Sequence, residues 1–238
     1  MEKKYMKAMF SLTLVLGLLL SGVWFVFGVQ APSAIIQGAS SRMNQSYAGT
    51  GSSLGAQAGN VTHIDLAGTQ VTTHWAGFYG NISGNITLED SSGAVFYDWT
   101  GLGTPVGEVY ASNTSTVTWS SIACANADNM TGLDTFLGMT ATDADSVYNT
   151  YGSPTHGGFS VAGTTITADT CNSTNAYVNS ALNAAYFSQV LLADGNNVPV
   201  FGTLLNSSAT AFNGAQVDFQ LLTGVPGTGT LYFFIELG

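Results

Sequence analysis

Residues 86–99 read ITLEDSSGAVFYDW. Two runs of strand-forming residues flank Glu89-Asp90-Ser91-Ser92-Gly93, a polar segment ending in the glycine that hairpin connections favour. Beyond it Val95, Tyr97 and Trp99 recur with period two, the spacing of a half-buried strand. The stretch reads as a β-hairpin, and the same pattern continues in both directions. Upstream, residues 61–73 alternate, with Ile64 and Leu66 on one face and His63 and Asp65 on the other, and 74–79 follow. Downstream, residues 108–111, 117–123, 158–169, 198–205, 217–222 and 231–237 are further short runs separated by Gly, Asn, Asp and Ser clusters. The last of these, LYFFIEL, is apolar on both faces, as a central strand is. Pro226-Gly227-Thr228-Gly229 reads as the turn of a final hairpin joining 217–222 to it.

Helical spacing intrudes only in the middle. Leu133, Phe136 and Leu137 share a helix face, and Thr142-x-x-Asp145 resembles a helix start before Val147 and Tyr148, so two short helices are expected between 130 and 151. Residues 176–192 are ambiguous: the Ala-rich first half suits a helix and 186–192 a strand. The expected fold class is mainly β, an antiparallel jelly-roll-like β-sandwich with short helices, occupying residues 60–238.

Two segments precede this domain. Residues 8–29 form an uncharged apolar run of about 22 residues, roughly 33 Å as a helix and long enough to span a bilayer. Lys3, Lys4 and Lys7 stand before it and hold that end in the cytoplasm. Residues 1–29 thus read as a transmembrane anchor or signal segment. The uncleaved anchor is preferred, because the A-x-A-like site Val29-Gln30-Ala31 is followed by Pro32. A signal cleaved near Gly28 or within 38–40, and pilin-like processing after Ala8, remain alternatives. Residues 30–59 have the Gly, Ser, Ala and Gln composition of a flexible linker. Within it Ser33, Ala34, Ile35 and Ile36 form a short β-prone segment, read either as linker or as a strand that pairs with a neighbouring subunit.

Charge narrows the chemistry. After Arg42 there is no lysine or arginine, while thirteen of the fourteen acidic residues lie beyond it. A domain without cations does not neutralise a nucleic-acid backbone or clamp phosphate through Lys or Arg. Charged residues are 8% of the chain, and Ser, Thr, Asn and Gly supply its polarity. Cys124 and Cys171, an even count in an exported domain, are expected to form a disulfide. Eight N-x-S/T sequons begin at Asn44, Asn60, Asn81, Asn85, Asn113, Asn129, Asn172 and Asn206. A composition this rich in Ser and Thr makes some sequons by chance, but a glycan coat replacing charge is the favoured reading.

The motifs GNVTHIDL, WAGFYGNISGNITL, VFYDW, GEVYAS and VTWSSIAC, with the terminal YFFIELG, resemble a family of uncharacterised archaeal surface proteins, secreted or membrane-anchored. That resemblance implies an exported, glycosylated β domain and supplies no catalytic residues.

Other chemistry finds little support. Trp75, Trp99 and Trp119 with Tyr79, Tyr97 and Tyr110 suit a sugar-stacking platform, but strand aromatics are more often core. No motif pairs the three exported glutamates, Glu89, Glu108 and Glu236, with each other or with an aspartate as a glycosidase requires. His63, His74 and His156 are scattered, and the acidic stretches 126–129 and 142–145 match no EF-hand. No metal, cofactor or catalytic residue is expected. The leading expectation is a non-catalytic glycosylated protein of the cell surface or envelope, with adhesion among its roles. Its membrane partner is the lipid around the N-terminal helix. The alternative is the subunit of an extracellular filament or envelope lattice joined by strand exchange near Ile35; a carbohydrate-binding module or hydrolase comes third.

Overall fold

Short alternating runs fold here into antiparallel ladders whose apolar positions fall on both faces of one large sheet. The computed structural model describes residues 32–34, 57–61, 63–64, 70–99, 106–153 and 155–238. The strands begin with β1 (Ser33–Ala34), β2 (Trp75–Gly80), β3 (Thr87–Glu89), β4 (Val95–Asp98), β5 (Gly107–Ser112) and β6 (Ala123–Cys124). Two helices follow, α1 (Ala127–Leu137) and α2 (Val147–Thr150). Next come β7 (Phe159–Val161), β8 (Thr164–Ile166), β9 (Ser173–Val178), β10 (Ala181–Ala193) and β11 (Pro199–Leu204). The chain ends with β12 (Ala209–Thr210), β13 (Gln216–Val217), β14 (Phe219–Gly224) and β15 (Tyr232–Leu237).

The large sheet runs β1-β15-β5-β11-β10-β6, with β9 also paired to β10, and it curls into a half-barrel. One face carries Val109, Ala111, Leu191 and Phe201 and is covered by α1, α2 and the β2–β14 ladder. Trp75 meets Phe201 edge-on at 6.3 Å between centroids, and Phe78 meets Phe233 at 4.9 Å. The other face carries Tyr110, Val190, Leu192, Val200 and Phe234 beneath Trp119 and the β7–β8 hairpin. Trp119 packs on Tyr110 at 5.4 Å and on Phe234 at 5.1 Å. Gly202 makes room for this cluster, since a Cβ there would lie 3.1 Å from both the Tyr110 ring and Val190.

Several local expectations are corrected. Residues 217–222 and 231–237 do not form a hairpin with each other. β14 pairs with β2, from Phe219↔Gly80 to Gly224↔Trp75, whereas β15 lies between β1 and β5. The free edge of β14 is satisfied by buried side chains: Leu222 N donates to Gln189 Oε1 at 2.5 Å, and its carbonyl accepts from Tyr151 Oη at 2.7 Å. Residues 176–178 and 181–185 are strand rather than helix, joined by a two-residue turn in which Asn179 and Ser180 take positive φ (50° and 63°) and fold β10 back onto β9. Residues 117–123 are not a continuous strand. Thr118 N donates to the Asp194 carboxylate, and a 3-10 turn at Trp119–Ser121 swings the indole inward.

The opening hairpin exists as β3–β4, its turn tied by the Asp90 carboxylate accepting from Ser92 N and Ala94 N. It is not half-buried: both faces are solvated, with Phe96 83% exposed. Among the described residues of 61–73 there is no strand. The second helix starts at Ser146, whose hydroxyl accepts from Asn149 N, rather than at Thr142. The apolar segment 8–29, Ile35, Ile36 and Asn44 lie outside the described residues. Among the described residues no helix is long and apolar enough to cross a membrane.

Candidate functional site

The β15 edge is the first feature bearing on function. Ser33 and Ala34 lie antiparallel on it, Ser33 opposite Ile235 and Ala34 opposite Phe234. Preceding Pro32 is buried. Ser33 and Ala34 thus lie on the outer edge of the large sheet and cover two of the six residues of β15.

On the other side of β15, Glu236 stands directly opposite Glu108 of β5. Gly107 beside them has φ +130°, and a Cβ there would fall 2.0 Å from the Glu236 carbonyl oxygen. Glu236 Oε2 accepts from Ala162 N at 3.0 Å, so the turn of the β7–β8 hairpin closes over the pair. Burial, with the neighbouring Glu236 carboxylate, pushes the Glu108 carboxyl up to about 8; burial also raises Glu236. Tyr110 Oη, on the same strand face, is buried without a hydrogen-bond partner. No sequence motif announces this carboxyl pair, because only the β5–β15 register brings it together.

The sequons divide by environment. Asn81, Asn85 and Asn113 are exposed, and among the described residues their side chains make no hydrogen bond. Asn60 is exposed, and its amide donates to Gln57 Oε1 at 3.3 Å. The other three are engaged. Asn129 closes the capping box of α1, accepting from Asn126 N, and donates to Asn197 Oδ1 at 2.9 Å. Asn172 donates to the Ala125 carbonyl at 3.0 Å, and Asn206 to the Tyr186 carbonyl at 3.1 Å. A sugar on any of these nitrogens competes with a bond the fold uses.

Cys124 and Cys171 stand at bonding distance, S–S 1.96 Å with Cα atoms 4.9 Å apart. They join β6 to the segment entering β9, and both of those strands pair with β10. Beside them the buried His156 ring accepts from Thr170 N and Cys171 N through Nε2 and contacts the Gly157 carbonyl through Nδ1, a structural role. His74 instead faces Asp145 at 3.2 Å, and Thr72 donates to the same carboxylate at 2.5 Å. Of the aromatics, Trp75, Tyr110 and Trp119 belong to the cores, while Tyr79, Tyr97 and Trp99 are exposed. Residues 126–129 are spent on the helix cap, and Asp143 accepts from Thr140 N. Among the described residues no group of three or more His, Cys, Asp and Glu is placed to hold a metal ion. No family model, no curated protein and no solved structure matches this chain.

Proposed function

We propose that this chain is a non-catalytic, glycosylated protein of the cell surface or envelope, of the archaeal kind its motifs resemble. Residues 8–29 anchor it with the N-terminus inside, and its β ectodomain is layered like a sandwich, β2–β14 over the large sheet. The observation that carries this reading is the surface itself. The exposed sequons Asn81, Asn85 and Asn113 have unengaged amides, no base follows Arg42, and neutral Ser, Thr, Asn and Gly supply the chain's polarity. Sugars supply the hydration that charge provides elsewhere. Release of the ectodomain from intact cells by trypsin, followed by chymotryptic digestion of the released fragment and masses for the sequon peptides, tests it.

A second reading, the filament subunit, is favoured by β1. An edge that accepts residues 33–34 from its own chain accepts the identical strand of a neighbour with the same main-chain hydrogen bonds. The linker that follows β1 is long enough to permit the exchange. Under this reading Ser33→Cys with Ile235→Cys, oxidised in native surface material, yields a covalent ladder of multimers. Deleting 33–36 abolishes polymers while export continues. Only internally linked monomers, or polymers surviving the deletion, would leave the anchored surface protein alone.

A further inference from the structure

We propose that the groove beside α1 seats the glycan carried by Asn113, with Phe136 as its stacking face. This rests on the glycosylation reading above and goes further, assigning one sequon a binding site on its own domain.

Two adjoining hollows, about 530 and 320 Å³, meet here, and Asn113 and Phe136 line both. Asn113 follows the last residue of β5, at the mouth, with its amide unengaged. Phe136 is 49% exposed, although its helix buries Met130, Leu133 and Leu137. Its ring is thus offered to the groove rather than to the core. Leu133 lies in the floor, and Asn126, Asp128 and Asn197 bring amide and carboxylate groups to the rim.

That lining selects a neutral polyhydroxyl ligand. Amides and a carboxylate pair with hydroxyls as donors and acceptors. The C–H face of a sugar ring lies against the electron-rich face of an aromatic side chain. Among the described residues no Lys, Arg or His lines the groove to hold a phosphate or sulfate. The attachment point chooses the occupant. Asn129, the other sequon on the rim, is tied into the helix cap, so Asn113 is the one free amide of a sequon at this groove. In the modification, the anomeric carbon of an activated sugar donor bonds to Asn113 Nδ2; the amide loses one proton and the donor its leaving group. Once tethered, the sugar has an effective concentration on the order of millimolar, so contacts too weak to capture a free saccharide still hold it.

The test uses full-length chain from native surface material, as wild type, Asn113→Gln, Phe136→Ala and the double variant. Peptide masses report each sequon, and hydrogen exchange reports the amides of 132–137. Wild type should carry sugar at Asn113 and exchange at least about tenfold more slowly there than Asn113→Gln. Phe136→Ala should keep the sugar mass, and removing the sequon in that background should change nothing further. An occupied Asn113 with equal exchange in wild type and Asn113→Gln would overturn the seat. So would a bare Asn113 among occupied sequons, which leaves the glycosylation reading intact. Bare asparagines throughout would overturn both.

Discussion

Replacing Cys171 with alanine should lower the unfolding free energy by about 4 kcal/mol, the chain-entropy value for a loop of this length. The bridge spans 47 residues and closes β6 and β9 onto β10, a region of long-range pairing. The sulfur it removes is fully buried, so a small cavity adds to the loss. For a domain of this size the melting midpoint should fall by roughly 10 °C. The fold should persist at room temperature, since His156 still holds the backbone at 170–171 and the β10–β11 ladder is untouched. Thermal melts of wild type and variant, with thiol labelling of the unfolded chains, measure it. Equal midpoints, or two reactive thiols in the wild type, would contradict the bridge.

The second large effect is on pH dependence. Glu108 is raised from 4.5 to about 8, and burial raises Glu236 as well. A carboxyl whose folded value exceeds its unfolded one favours the neutral form. Its stability is fully present below about pH 4.5 and is lost as pH rises towards 8. Discounted for the partial exposure of the pair, the loss is about 2 kcal/mol. Three aspartates act in the opposite sense. Hydrogen bonds from Ser92 hold Asp90 low, and those from Thr72 and His74 hold Asp145 low. At Asp194 burial opposes the shift, but bonds from Thr118, Val198 and Asn196 outweigh it. Their contributions are lost only below the ordinary aspartate value of 3.8. Melting temperature should therefore climb from pH 8 to pH 5 and turn down in stronger acid. Glu108→Gln should flatten the climb, stabilising the protein at pH 8 and leaving it unchanged at pH 4.5. A variant with the wild-type slope would show that the pair does not set it.

Period-two alternation and turn chemistry made most strands legible, because each depends on neighbours a few residues apart. Asp90 and Asp194 hold their turns through bonds to residues two and four positions on, and the turn at Asp90 was readable from its polar run ending in Gly93. Pairing was not readable in the same way. The partner of β14 is β2, some 140 residues away, and no local signal distinguishes it from β15. The exposed aromatics of β3–β4 misled for a related reason: alternation locates a strand but not what covers it. Ser33 and Ala34 were readable as a β-prone segment, but not their partner, which in this chain is its own β15. The Glu108–Glu236 pair and the Asn113–Phe136 groove were invisible, since each joins residues over 20 positions apart through strand register or helix packing.

Trypsin treatment of intact cells tests the central claim most directly. No lysine or arginine follows Arg42, so trypsin does not divide residues 43–238, and any sugar on them stays on one fragment. The account predicts that this fragment is released into the medium. Its mass should exceed that of the bare polypeptide by whole glycans, mapping first to Asn60, Asn81, Asn85 and Asn113. A chain that stays with the cells until they are lysed, or a released fragment with the bare polypeptide mass, would contradict it.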